Sequence, residues 1–329
     1  MSKGANQRLK LIYLAKIMLE KTDEHHGLKM KEILSELEAY GVSADRKTIP
    51  NDFDILRTFG IDVKQERQGR DFSYKVVGRQ FEIAELKLLV DVIQSSKFIT
   101  EKKSKQLIQK LESFASNYEA KQLQRQVYVS GRIKAMNESI YYNVDEIHMA
   151  IEMNRKIRFQ YFQWNIKKEE ELRKDGQLYE ISPWALLCDN DNYYMVGFDS
   201  KEKKMKHYRV DKMLKSVCME EPREGKEQFE KYDIAAYTRK IFGMFGGEEQ
   251  SVKLEFDNSL AGVVIDRFGK DIIIVPSDEA HFTVRLDIVV SDQFFGWILA
   301  LGDGAKVLGP NDVVERMKEV VKKAYERYW

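Results

Sequence analysis

Two cysteines in 329 residues, Cys188 and Cys218, exclude a disulfide framework and a thiolate zinc cluster. Both are expected to be reduced thiols. Long apolar runs are missing as well. No stretch of 18 apolar residues occurs, so no membrane-spanning helix is expected. The opening residues, MSKGANQRLK, carry charge with no apolar segment behind it, which predicts no secretory signal and a cytoplasmic location. Charge of one sign is not in excess: 54 Lys and Arg stand against 53 Asp and Glu, leaving the formal net charge at +1. A near-neutral total neither requires nor forbids nucleic acid, because local distribution decides that.

Catalytic and cofactor signatures are also absent. The five histidines include the adjacent pair His25 and His26, but no H-x-x-x-H occurs. There is no G-x-S-x-G and no G-x-x-x-x-G-K-[ST], and GDGAKVLG joins a helix to a strand, the wrong order for a dinucleotide fingerprint. No enzyme activity, cofactor or metal site is therefore expected.

What is present is periodicity, in several modules. Leu11, Leu14, Ala15, Met18 and Leu19 recur at helical spacing, as do Met30, Ile33, Leu34 and Leu37 after the polar loop TDEHHG. Gly41 suits the C′ position of the second helix. The stretch VSADRKTIPNDFDIL begins two residues later, with Ile49, Phe53 and Leu56 at i, i+4, i+7. Helix, glycine turn, helix is the sequence form of a helix-turn-helix. Alternation then replaces helical spacing: Ile61 and Val63, the turn ERQGRD, then Phe72, Tyr74 and Val76 read as a β-hairpin. Three helices and a hairpin predict a winged helix-turn-helix over residues 1–78, with Arg67 and Arg70 at the wing tip.

Pro50 has two accounts in the third helix. If that helix begins near Ala44, capped by Ser43, the proline lies inside it and bends it, destabilising by about 3 kcal/mol. If Thr48 is the N-cap, Pro50 falls in the first turn, where its missing N–H matters little. The candidate DNA-contacting residues are Ser43, Arg46, Lys47, Thr48, Asn51, Arg57, Arg67 and Arg70. Cations neutralise phosphates, and Arg and Asn also pair with base edges. Asp45, Asp52 and Asp54 oppose phosphate, so the stretch is locally neutral, and a plain surface helix is the structural alternative.

Residues 79–139 read as a helical connector through Phe81, Leu86, Leu89, Val90, Ile93, Leu107, Leu111 and Phe114. Nine Lys and Arg against three Glu between Lys97 and Lys134 make part of it basic. From KIRFQYF onward short strands recur at roughly ten-residue spacing, predicting a small β-barrel or sandwich within residues 140–223. The remainder, 224–329, opens with the glycine-rich IFGMFGGEE, read as a hinge or an arm crossing to a partner chain. It then runs strand, helix, strand, strand, helix, strand and a closing helix, the order of a ferredoxin-like module. Trp297 is read there as a core or interface residue.

In the middle module, strand alternation puts His207 and Arg209 on one face and Tyr208 and Val210 on the other. Ser182 and Trp184 share a face, and Arg158 faces away from Phe159. A barrel gathering Arg158, Tyr161, Ser182, Trp184, Tyr193, His207, Arg209 and Lys212 would offer cations, a hydroxyl and stacking surfaces to a nucleotide or single-stranded nucleic acid. The alternative is that the aromatics are ordinary core. Arg209 is harder to place that way, because a buried arginine needs anionic partners.

Taken in order, VSADRKTI, ISPWALL, NYYMVGFD, KHYRVDKM, IFGMFGGEE and FFGWILALGDGAKVLGP resemble the WYL-domain transcriptional regulators, a group related to DeoR-like regulators. The resemblance covers nearly the whole chain, although the Trp-Tyr-Leu signature stands here as Tyr193-Tyr194-Met195. It implies an α+β chain with a winged helix-turn-helix, a WYL domain with an Sm-like barrel, and a C-terminal extension domain. It also implies a homodimer on a double-stranded DNA operator, with an effector sensed by the WYL domain and nucleic-acid species among the candidates. A reading from another class remains: a non-regulatory module that binds single strands or proteins.

Overall fold

The computed structural model describes residues 9–123, 134–189, 191–231, 240–244 and 247–329. The chain divides into two compact units, residues 1–138 and 139–329.

In the first unit, α1 (Lys10–Lys21), α2 (Met30–Ala39) and α3 (Ile49–Thr58) pack with a three-stranded antiparallel sheet. Its strands are β1 (Leu28–Lys29), β2 (Asp62–Gln68) and β3 (Asp71–Val77), in the order β1-β3-β2. The apolar stripes meet in one core of Leu14, Ile17, Met18, Ile33, Leu37, Ile49, Phe53, Leu56, Val63 and Val76. Leu19 lies at the edge of its stripe, over a third exposed. Gly41 ends α2 as its spacing predicts: at φ 70° its N–H donates to Glu38 O, and the Val42 N–H donates to Leu37 O. Gly60 closes α3 in the same way: at φ 98° its N–H donates to Arg57 O, and the Ile61 N–H donates to Leu56 O.

The second account of Pro50 holds. Thr48 is the N-cap residue of α3 and Pro50 sits in the first turn, so Ser43 caps no helix start there. Residues 45–48 form a turn instead, in which the Thr48 N–H reaches Asp45 O and the Lys47 N–H reaches the Asp45 carboxylate.

Among the described residues the connector holds three helices, α4 (Ile83–Ser95), α5 (Glu101–Glu112) and α6 (Asn117–Leu123). Polar residues break it: Thr100 caps α5 by accepting the Lys103 N–H, and Ser116 accepts the N–H groups of Tyr118 and Glu119 ahead of α6. Residues 124–133, part of the expected helical stretch, lie outside the described residues.

A buried polar network ties the connector to the three helices. The Ser116 hydroxyl donates to Asp23 at 2.6 Å, and His26, hydrogen-bonded to the same carboxylate, stacks on Tyr118 at 3.9 Å. Burial opposes the Asp23 charge, but these bonds outweigh it and hold its carboxyl below the ordinary range. Arg79 spans the junction, donating to the carbonyls of Leu19, Thr22 and Phe114, with Glu119 at 3.7 Å.

The second unit begins with α7 (Ile140–Glu152), packed on a curled sheet. Its strands are β4 (Arg155–Trp164), β5 (Glu170–Leu172), β6 (Tyr179–Asp189), β7 (Asn192–Asp199), β8 (Lys204–Arg209) and β9 (Met213–Pro222). The path runs β5-β4-β6-β7-β8, with β9 antiparallel to β4, so the sheet bends into a half-barrel. Ile157, Phe159, Ile181, Met195, Tyr208 and Met213 are buried on the strands. Asn143 of α7 donates to the carbonyls of Val210 and Met213 and closes one end.

After the short helix α8 (Lys226–Glu230), the C-terminal module contains β10 (Glu248–Asp257), α9 (Ala261–Phe268), β11 (Ile274–Pro276) and β12 (His281–Val290). It continues through α10 (Asp292–Ala300), β13 (Ala305–Gly309) and α11 (Asn311–Tyr328). The antiparallel sheet runs β11-β12-β10-β13. Trp297 packs on Phe242, Phe256 and Phe268, which makes it a core residue.

The glycine-rich segment is not free of its own unit. Phe242 enters the core of the C-terminal module, while Ile241 and Met244 pack with Leu187, Tyr194 and Val289. The described part of the expected hinge is thus an apolar seam between the curled sheet and the C-terminal module. Phe245 and Gly246 lie outside the described residues.

Candidate functional site

Two surfaces carry the sequence candidates, one in each unit. In the first unit, burial of Ile49, Phe53 and Leu56 turns the opposite face of α3 outward. Arg46, Lys47 and Thr48 precede it on an exposed turn, and Asn51, Asp54 and Ile55 are exposed on the helix itself. The start of α3 is pinned to α1. The Lys10 ammonium lies 2.7 Å from Asp52 and 3.3 Å from the Thr48 hydroxyl, which in turn donates to Asp45 O. Arg57 has a different place from the one its charge suggests. Its Nε donates to Val63 O at 2.7 Å and its guanidinium pairs with Asp54, so it ties α3 to β2. Ser43 is exposed at the opening of the turn.

The hairpin tip is built on Gly69, whose φ of 66° lets a two-residue turn connect Gln68 to Asp71. Arg67 and Arg70 are both exposed there, Arg67 donating weakly to Gly69 O at 3.4 Å. Arg46, Lys47, Arg67 and Arg70 therefore present cations, with Asp45 exposed in the same turn as the first two; of the acidic residues of α3, Asp52 is buried against Lys10 and Asp54 is exposed and paired with Arg57.

In the second unit the structure brings together Tyr161, Arg209 and Lys212. The Arg209 guanidinium forks onto Asp211, with Nε and Nη2 at 3.0 and 2.9 Å, and Nη2 also reaches Asn192 at 2.9 Å. Its backbone N–H donates to the Tyr161 hydroxyl at 3.0 Å. Burial works against the Arg209 charge, but Asp211 outweighs it and holds the guanidinium above its ordinary value. This is the anionic partner that the sequence required. Burial pushes Tyr161 up to about 12, so it is a neutral hydroxyl. Lys212 extends over the rings of Phe162 and Trp164 at 4.9 and 5.0 Å, and burial lowers its pKa despite Asp211 nearby. Trp164 is 40% exposed, so a partly exposed aromatic ring stands beside the Lys212 ammonium.

The remaining candidates are elsewhere. Ser182 is fully buried and accepts the Glu224 N–H, while Trp184 Nε1 donates to Glu224 O. Trp184 also stacks on Phe229, with the Arg223 guanidinium 4.1 Å above its ring. These two residues hold down the strap 223–229 and do not surround Arg209; Gly225 lets it approach, since a Cβ there would lie 2.2 Å from Phe198. Arg158 is exposed opposite Phe159, as alternation predicts, in register with Glu180 and Val217. Tyr193 pairs with Cys188, on the face opposite to Tyr194 and its neighbour Arg209. His207 pairs with Val196 on the Arg209 face, and burial drives its pKa down to about 4, leaving a neutral imidazole at pH 7. Strand alternation gave the facing of each residue, but the strap and the curl decided which faces meet.

Sequence reading missed Asp211, Asn192 and Trp164, the residues that position Arg209 and Lys212. Asp211 follows Arg209 by two residues, a spacing that suits a local fork. Among the described residues no group of His, Cys, Asp and Glu is arranged to hold a metal ion, and no helix is long and apolar enough to cross a membrane.

Residues 142–218 match the WYL domain and residues 248–325 match the WCX domain. The chain thus carries both, on the curled sheet and the C-terminal module respectively. No curated protein matches it. Among solved structures it is similar to proteasome accessory factor B/C (PafBC) of Arthrobacter aurescens, at 17% identity and a TM-score of 0.27. That likeness covers 95% of this chain and 46% of the other, so the chain spans less than half of that structure's length. A CRISPR Cas-related protein is similar at 11% identity and a TM-score of 0.38, covering 98% of this chain and 84% of that one.

Proposed function

We propose that this WYL- and WCX-bearing chain is a ligand-sensing regulator of transcription that reads duplex DNA with its first unit. The observation that carries the reading is the WYL domain following a unit whose exposed turn and hairpin tip present Arg46, Lys47, Arg67 and Arg70. In this reading α2, α3 and the hairpin are a winged helix-turn-helix. α3 enters the major groove, the turn before it meets phosphates, and the wing tip contacts the adjacent backbone. The C-terminal module is read as ferredoxin-like, and the regulator as a homodimer whose two reading heads meet half-sites about one helical turn apart or a multiple of it.

The effector surface is the cluster of Tyr161, Trp164, Arg209 and Lys212. Arg209 is held by a single carboxylate and an amide, and its side chain is 40% exposed, so an anionic ligand can share its fork. Trp164 offers a stacking face for a base. A nucleotide or a single-stranded nucleic acid fits both features. Such a ligand changes DNA binding only as far as its affinity differs between two arrangements of the regulator.

Selection of duplexes from a random pool by the full chain tests the reading. A recovered consensus that outcompetes random duplex is the expected result. Adding short single strands or nucleotides should then shift its affinity, and Arg209→Ala should abolish the shift while sparing basal binding. Recovery of single strands with no duplex preference would overturn the reading.

A further inference from the structure

The face that α3 turns outward is chemically unusual for a DNA-reading helix, because it offers no uncommitted cation. Asp52 pairs with Lys10 at 2.7 Å, and Arg57 is occupied by Asp54 and by Val63 O. The exposed face carries Asn51, Asp54, Thr58 and Ile55; Asp54 is paired with Arg57, and Ile55 is 51% exposed although it is aliphatic and lies on a helix with a well-filled core. Guanine is read most often by Arg or Lys forks, and α3 has neither to give. An asparagine amide pairs with adenine, and an aliphatic side chain meets the 5-methyl group of thymine.

Resting on the reading of the first unit as a DNA-binding head, we infer that Ile55 is a specificity-determining residue that contacts a thymine methyl in the major groove. Asn51 and Ile55 lie one turn apart on the same face, about 6 Å along the helix axis. That is close to two base-pair steps of about 3.4 Å. The occupant is therefore a duplex whose half-site contains an adenine and, about two steps away, a thymine. The flanking cations Arg46, Lys47, Arg67 and Arg70 complement the phosphates on either side of the helix. Ile55 supplies sequence information without adding charge, so its contribution is independent of salt.

Deoxyuridine differs from thymidine only by the methyl group, which gives a clean probe. The consensus duplex from the random pool is resynthesised with deoxyuridine at one thymine at a time, and its affinity for the full chain is measured. At one thymine per half-site the substituted duplex should bind about fourfold more weakly, the size expected for one buried methyl group. Ile55→Ala should bind thymine and uracil duplexes alike, and Ile55→Val should retain part of the difference. Both variants alter an exposed side chain, so circular dichroism should match the parent. If every uracil duplex bound as well as the parent, or if Ile55→Ala kept the discrimination, Ile55 would not be the reader. A G·C-only consensus would overturn the inference while leaving DNA binding intact. If no duplex were selected at all, the DNA-binding reading itself would fail, and the inference with it.

Discussion

Arg79→Met should separate the connector from the three-helix core while leaving the second unit untouched. Arg79 is largely buried, and its guanidinium bonds to the carbonyls of Leu19 and Thr22 at the end of α1 and of Phe114 between α5 and α6. Burial lowers its pKa, opposed by Glu119 and Asp23, so the cation is kept by neighbouring carboxylates. A charge-assisted hydrogen bond contributes about 1.5–3 kcal/mol. Carbonyls freed near the surface regain water, so we take about 1 kcal/mol for each, or about 3 kcal/mol in all. A unit of 138 residues unfolds with an entropy near 0.3 kcal/mol per kelvin, from about 2.1 cal/mol per kelvin per residue, so the transition should fall by about 10 °C. The assay exploits the composition: Trp164, Trp184, Trp297 and Trp329 all lie in the second unit. Far-UV circular dichroism of the full chain should show an earlier phase, while the tryptophan fluorescence midpoint stays where it was. Arg79→Lys should recover less than half of the loss, because one ammonium cannot span three separated carbonyls. A dichroism shift of less than about 2 °C, or movement of both signals together, would refute this role for Arg79.

Pro50→Ala should change stability by no more than about 0.5 kcal/mol and leave duplex affinity unaltered, since the first turn has no acceptor for the restored N–H. Denaturant titration and a binding isotherm check both parts. Lowering the pH should weaken the second unit through His207. Its imidazole titrates near 6.5 when unfolded but about 4 when folded, so the stabilisation is present above pH 6.5 and is lost as pH falls toward 4. The tryptophan-detected midpoint should drop across that window as the stability falls by an amount on the order of 3 kcal/mol, and His207→Gln should flatten the dependence. Gly225→Ala should lift the strap from Phe198, because φ is 82° and the added Cβ meets the ring. A loss of about 1–3 kcal/mol and a red-shifted Trp184 emission are expected.

Local rules of the chain account for much of the first unit. The Gly41 and Gly60 helix stops, the Gly69 hairpin turn and the Ile49, Phe53 and Leu56 face follow from spacing and backbone freedom alone. Pro50 shows where spacing stops deciding: either helix start fits the pattern, and the pinning of Thr48 and Asp52 by Lys10, 38 and 42 residues away in sequence, accompanies the later one. Arg57 carries the same lesson for the candidate site, since its charge suggests a phosphate contact but its partner is the carbonyl of Val63. In the WYL domain, alternation gave each side chain a face but not its neighbours. Ser182 and Trp184 meet Glu224 about forty residues later, a contact that no local pattern encodes. The Arg209 fork was partly legible, because a half-buried guanidinium demands an anion and Asp211 stands two residues on.

The central claim, that the exposed cations of the first unit engage duplex phosphates, is tested most directly by a salt series on the selected duplex. The logarithm of the binding constant should fall linearly with the logarithm of salt, by about 0.9 for each phosphate contacted. Replacing Lys47, Arg67 and Arg70 together by alanine should make the slope shallower by about 2.7, with helicity unchanged. An identical slope for the parent and the triple variant would contradict the account.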